Sequence, residues 1–155
     1  MKINFKRLII FFVITFLVGG LAGAITMGSM DMYDMILKPA LAPPPILFPI
    51  VWTVLYALMA ISAYMVSVSD CENKSEALKT YFIQLALNFA WPIVFFNFQA
   101  FLVAFVWILI LWVAIIDMIR KFYACKKTAA YLQIPYLLWV TFAAYLNLMI
   151  YLLNR

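Results

Sequence analysis

The chain has 155 residues, of which 69% are hydrophobic and 11% charged, against about 45–50% and about 25% in ordinary soluble domains. That composition excludes a soluble catalytic domain and describes an integral membrane protein forming a single domain over residues 1–155. The net charge of +5 does not signal a nucleic-acid surface, because the basic residues lie in the connections between apolar runs.

Apolar runs cover about 8–27, 48–68, 80–98, 101–119 and 129–153. Each has about 20 residues, enough at 1.5 Å per residue to match a hydrocarbon core roughly 30 Å thick. The expectation is an all-α membrane bundle of five transmembrane helices. In the first run, Lys2, Lys6 and Arg7 precede an apolar stretch and Ala22-Gly23-Ala24. This pattern also fits a secretory signal peptide, whose cleavage would leave four helices. Within the same run Gly19-x-x-x-Gly23 is a motif for close helix packing.

The next connection reads Lys38-Pro39-Ala40-Leu41-Ala42-Pro43-Pro44-Pro45. Proline fixes φ and removes donors, so a stiff, polyproline-like lid is expected, with Pro49 in the first turn of the following helix, where a missing N–H costs nothing. That second run carries a stripe of Trp52, Tyr56 and Met59.

The third run places Gln84, Asn88, Trp91 and Phe95 at spacings of four, three and four, on one face of a helix. Amides are costly in lipid, so they should point into the bundle, either clamping another helix or meeting a ligand. Pro92 is placed to kink the helix beside Trp91. The fourth run is apolar and aromatic from Phe101 to Ile116, which suits a lipid-facing or subunit-facing helix without ligand contacts. Asp117 with Arg120 and Lys121 three and four residues later reads as an interfacial ion pair. The fifth run repeats the amide–aromatic stripe with Trp139, Phe142, Ala143, Leu146 and Asn147. Trp52 and Trp139 lie near run ends, so an interfacial belt and a pocket both remain open for them.

Counting Lys and Arg in alternate connections puts Lys2, Lys6, Arg7, Lys74, Lys79, Arg120, Lys121, Lys126 and Lys127 on one side, with Lys38 and Arg155 on the other. The positive-inside rule then places the amino terminus in the cytoplasm and the carboxyl terminus outside. Cys71 and Cys125 fall in the cytoplasmic loops, where thiols stay reduced, and are expected to be free and without a role. The sequence contains no histidine, so the commonest metal ligand and general base is missing. No metal site or cofactor is expected, and no phosphate-binding glycine loop is present.

Lys38-Pro39 with Pro43-Pro44, Pro49-x-x-Trp52-Thr53-x-x-Tyr56, Gln84-Leu85-x-Leu87-Asn88-x-x-Trp91-Pro92 with Phe95-Phe96, Pro135-Tyr136-x-x-Trp139 and Leu146-Asn147 together resemble the tryptophan-rich sensory protein family. It is also called the translocator protein or peripheral benzodiazepine receptor family, and the chain is taken as a bacterial member. The resemblance implies a five-helix bundle with its first helix retained, a homodimer in the lipid bilayer, and a pocket for porphyrin beneath the first loop. Benzodiazepine- or isoquinoline-type compounds and sterol are further implied ligands. The implied ligand-binding residues are Trp52, Asn88, Trp91, Trp139, Phe142, Ala143 and Asn147, to which the stripes add Tyr56, Phe95 and Leu146.

Bacterial members further imply light-dependent oxidative breakdown of porphyrin, for which Trp52 and Trp139 are the candidate catalytic residues. Two departures affect the lid: Met32 stands where the family commonly has tryptophan, and Leu41 replaces an aromatic residue. Tyr33 becomes the main aromatic candidate there. The sterol motif is matched only as Leu148, Tyr151 and Arg155. Without histidine, stacking and burial rather than axial ligation of a metal are expected to hold a tetrapyrrole.

Overall fold

The computed structural model describes residues 3–155, so Lys2 of the amino-terminal basic cluster lies outside the described residues. Its helices are α1 (Phe5–Thr26), α2 (Asp31–Met35), α3 (Leu47–Ser67), α4 (Lys74–Pro92), α5 (Phe101–Cys125), α6 (Lys127–Tyr131) and α7 (Ile134–Leu153). A short 3-10 turn, Met27–Ser29, joins α1 to the α2 region, and a wide π turn, Ile93–Asn97, follows α4.

Among the described residues four stretches, not five, are long and apolar enough to cross a membrane: Phe5–Ser29, Leu47–Ser67, Phe101–Cys125 and Lys127–Leu153. The expected fifth, over 80–98, is split between two elements. Its apolar end, Ile93–Phe98, leaves the helix after Pro92 in the π turn and the residue capping it. What stays helical gains Lys74, Glu76 and Lys79 at its start. The uncharged polar residues farther along α4 are nonetheless inside the protein: Thr80, Gln84 and Asn88 are all buried.

α4 and α5 run antiparallel. Phe95 packs on Phe101 at 5.2 Å between ring centroids, and the Trp107 indole donates to the Leu87 carbonyl at 2.9 Å. At the far end of the pair, Cys71 and Cys125 are joined in a disulfide with their Cα atoms 5.0 Å apart. This corrects the expectation of two free cysteines. A separation of 54 residues gave no sign of contact, but the loop before α4 and the last residue of α5 must meet once the helices pack antiparallel.

α5 also extends to Cys125, beyond the expected end at 119, and carries the exposed Asp117–Lys121 ion pair (2.9 Å) on its surface. Its buried residues, Ala104, Ile108, Leu111, Ile115, Met118 and Phe122, alternate in spacings of four and three, the stripe of a helix packed on one side. The other side exposes Val103, Val106, Ile110 and Val113, as suits contact with lipid.

The bundle has two distinct ends. At the basic end the Tyr64 hydroxyl accepts from the Asn4 backbone N–H (2.9 Å), and Arg7 donates to the Ser67 carbonyl (3.2 Å), stitching the start of α1 to the end of α3. At the opposite end Asn154 accepts from the Leu37 N–H and donates to the Leu37 carbonyl, each at 2.9 Å. Asn4 and Asn154 therefore lie at opposite ends of the bundle. Between them, the Thr15 and Tyr81 hydroxyls are hydrogen-bonded in the interior, and Ser62 donates to the Ala129 carbonyl at 2.7 Å.

Candidate functional site

A cavity of about 590 Å³ opens among α1, α3, α4, α5 and α7 at the end where the lid lies. Its size falls within the roughly 300–1,000 Å³ of small-molecule pockets. Trp52 and Tyr56 come from α3, Asn88 and Trp91 from α4, Phe95 from the π turn, and Trp139, Ala143, Leu146 and Asn147 from α7, with Tyr33 of α2 closing the lid side. Phe142 is not in the wall. Its ring stacks on Tyr145 at 6.3 Å and 22° and lies 5.9 Å from that of Trp139, so it backs a wall residue without lining the cavity.

The aromatic residues support one another. Trp52 leans on Tyr56 at 5.4 Å, Trp91 on Phe95 at 5.4 Å, and Phe48 bridges the edges of Tyr33 (6.2 Å) and Trp139 (5.9 Å). Tyr33 is held from the lid as well, because Lys38 donates to its carbonyl (2.6 Å) and lies 4.5 Å over its ring. Burial raises the pKa of the Tyr33 phenol, and the charge of Asp34 adds to the effect, so the ring stays neutral at physiological pH. The lid itself is two tight turns, Pro39 to Ala42 and Pro44 to Leu47, rather than a continuous polyproline stretch. Leu41 is exposed and Met32 is buried.

The wall's amides are already committed. Tyr56 donates to Asn88 Oδ1 (3.3 Å), Asn88 Nδ2 to the Tyr136 hydroxyl (2.8 Å), and that hydroxyl to Gln84 Oε1 (2.8 Å). Trp91 Nε1 donates to Asn147 Oδ1 (3.2 Å), and Asn147 Nδ2 to the Ala143 carbonyl (2.7 Å). The amides thus clamp helices to one another while bordering the cavity. Trp107 and Trp112 have their indole N–H groups bonded elsewhere, whereas those of Trp52 and Trp139 have no partner among the described residues. The wall carries no charged side chain, and no cluster of His, Cys, Asp or Glu suited to a metal occurs among the described residues. What this arrangement offers a ligand is ring stacking, apolar burial and two indole donors.

A match to the TspO/MBR family model runs from residue 11 to residue 153 and takes in every helix that lines the cavity. The chain belongs to the TspO/MBR family. Similar proteins include the tryptophan-rich protein TspO of Archaeoglobus fulgidus, 43% identical over 79% of each chain. The tryptophan-rich protein TspO of Chlorobaculum tepidum is 38% identical over 79% of this chain and 78% of its own. The translocator protein of Ovis aries is 34% identical over 74% of this chain and 70% of its own. An archaeon, a bacterium and a mammal are all represented, so the likeness is to the TspO/MBR family as a whole rather than to a bacterial branch. Membership associates this multi-pass membrane protein with receptor and transport roles.

Two walls of the TspO/MBR cavity were not read from the sequence. From α1, Gly19, Gly20 and Gly23 line it. A Cβ built on Gly19 would fall 2.7 Å from Tyr56 Cζ and 2.9 Å from Cδ2, while Gly20 and Gly23 face open space. Gly19 of the motif therefore makes room for a ring, and Gly20 and Gly23 border the cavity. From α5, Ile108 and Leu111 line the cavity, correcting the expectation that this helix has no place there. Gly19 and Gly23 were the available signal on α1, but a uniformly apolar α5 gives none.

Proposed function

We propose that the cavity binds porphyrins and similarly flat hydrophobic compounds, benzodiazepine- and isoquinoline-type molecules among them, in a receptor or translocator role. The observation that carries the reading is a 590 Å³ space walled by rings whose neighbouring amides are already hydrogen-bonded to each other. Affinity in such a site comes from stacking and desolvation of a broad apolar face, with indole N–H groups adding direction. A ligand rich in charge would find no counter-ion. Titration of the purified protein with protoporphyrin in the dark, followed by tryptophan quenching and the porphyrin absorption band, tests it. Saturable binding with a shifted band supports the reading, and a purely linear, detergent-like response refutes it.

A second reading, light-driven oxidative breakdown of the bound porphyrin, draws on Trp52 and Trp139. They are indoles of the cavity wall without a hydrogen-bond partner among the described residues, and indole is the most readily oxidised ring there. The same titration repeated under illumination separates the two, since protein-dependent loss of porphyrin absorbance belongs only to the second. The reading also includes a homodimer and a cytoplasmic basic end, the latter because Lys6, Arg7, Lys74, Lys79, Arg120, Lys121, Lys126 and Lys127 outnumber Lys38 and Arg155 at the other end.

A further inference from the structure

The Cys71–Cys125 disulfide lies at the end of the bundle that the basic residues assign to the cytoplasm. Disulfides do not persist there as static fasteners, because glutathione and thioredoxin-type dithiols keep thiols reduced; those that form are transient and redox-responsive. Both cysteines are only partly buried, Cys125 packing against the edge of the hydrophobic core, and their neighbours Asp70, Glu72, Lys126 and Lys127 are exposed, so a small reductant can approach the bond from that side. The two sulfurs differ in setting. Cys125 is followed by Lys126 and Lys127, whereas Cys71 is flanked by Asp70 and Glu72. Cations favour a thiolate and carboxylates oppose one, which makes Cys125 the better leaving group.

We infer that Cys71 and Cys125 form a thiol–disulfide exchange site, opened by a cytoplasmic dithiol and closed by a disulfide or diazene oxidant. A thiolate of the dithiol attacks Cys71 Sγ, forming a mixed disulfide and expelling Cys125 as a thiolate, which takes up a proton. The second thiol of the reductant then attacks its own sulfur in the mixed disulfide and releases Cys71. Two electrons and two protons pass to the protein, and the reductant leaves as its disulfide. The bond ties the loop before α4 to the end of α5. The α4–α5 contact is also held at Trp107 and Leu87 (2.9 Å), so opening frees the loop at 68–73 while the bundle persists.

This inference rests on the cytoplasmic placement of the basic end and is independent of what the cavity binds. Intact cells making the full chain are treated, acid-quenched and tagged with a maleimide that adds mass at each thiol. A membrane-permeant dithiol should convert the untagged form to the doubly tagged one, and a permeant diazene oxidant should reverse it, each by at least tenfold in the ratio. An impermeant phosphine should do neither. In inverted vesicles the reduced protein should be nicked within residues 68–73 several-fold faster than the oxidised one. Cys71→Ser and Cys125→Ser should each carry one tag under every condition. A bond that withstands the permeant dithiol, or thiols that the oxidant never joins, would overturn the exchange site. Reduction by the impermeant phosphine would overturn the cytoplasmic placement and leave the bond a permanent exterior clasp.

Discussion

Replacing Gly19 with alanine tests the packing of the cavity wall through a single methyl group. Alanine in place of glycine should favour a helix by about 1 kcal/mol through backbone entropy alone. At Gly19, however, the new Cβ would lie 2.7 Å from Tyr56 Cζ, and carbon atoms need roughly 3.5–4.0 Å. The ring must retreat by about 1 Å, and it has little freedom, being in contact with Trp52 (5.4 Å) and Phe16 (6.1 Å) and bonded to Asn88 (3.3 Å). Overpacking of this kind costs about 1–3 kcal/mol, and losing the hydroxyl's partner adds about 1 kcal/mol.

After the helical gain, Gly19→Ala should destabilise by roughly 1–3 kcal/mol, a fall of about 2–12 °C in melting temperature for a chain of this size. Porphyrin affinity should drop with it, since Tyr56 lines the cavity and its displacement alters the wall. Gly20→Ala supplies the control, because nothing lies within 4 Å of its Cβ; it should be neutral or slightly stabilising. Thermal unfolding in detergent is the assay, run also in a Tyr56→Leu background, where the clash is absent. If Gly19→Ala costs as much there as with Tyr56 present, the ring is not the cause and the reasoning fails.

Three further outcomes are expected. Ala143→Leu should fill part of the cavity and weaken porphyrin binding at least tenfold while helical circular dichroism persists; unchanged affinity would separate Ala143 from the ligand. Tyr136→Phe removes the hydroxyl between Asn88 and Gln84, both 2.8 Å away, and should lower stability by about 1–3 kcal/mol for each amide left unpaired, read as a lower melting temperature. Trp52→Phe and Trp139→Phe keep a stacking ring, so dark affinity should change by a few-fold at most; if the indoles are redox partners, light-driven porphyrin loss should disappear, and equal bleaching in wild type, variants and detergent alone would remove that reading.

Apolar length made α1, α3, α5 and α7 legible, because a span of lipid leaves its mark directly in composition. It misled over α4. There hydropathy fused a polar-striped helix with the turn beyond Pro92, and the burial that compensates Gln84 and Asn88 is a tertiary fact no window contains. Helical spacing on α4 and α7 brought the residues Asn88, Trp91, Ala143 and Asn147 toward one space. It did not exclude Phe142, whose place on the helix sets it against Trp139 (5.9 Å) without bringing it into the wall. Gly20 and Gly23 contribute to the cavity by having no side chain, and Ile108 and Leu111 sit in a helix with no polar contrast to mark its inner face. The cysteine pairing depended on the antiparallel register of α4 and α5, which loop composition does not encode.

The paired hydrogen bonds between Asn154 and Leu37 have a practical bearing on how this protein is handled. Asn154 caps the end of α7, and Leu37 leads into the proline-rich lid. An affinity tag or fluorescent protein attached close to Asn154 is thereby coupled to the lid as well as to α7, so a binding measurement on such a fusion needs the untagged protein beside it. Attachment before residue 3, at the far end of the bundle, leaves that joint alone.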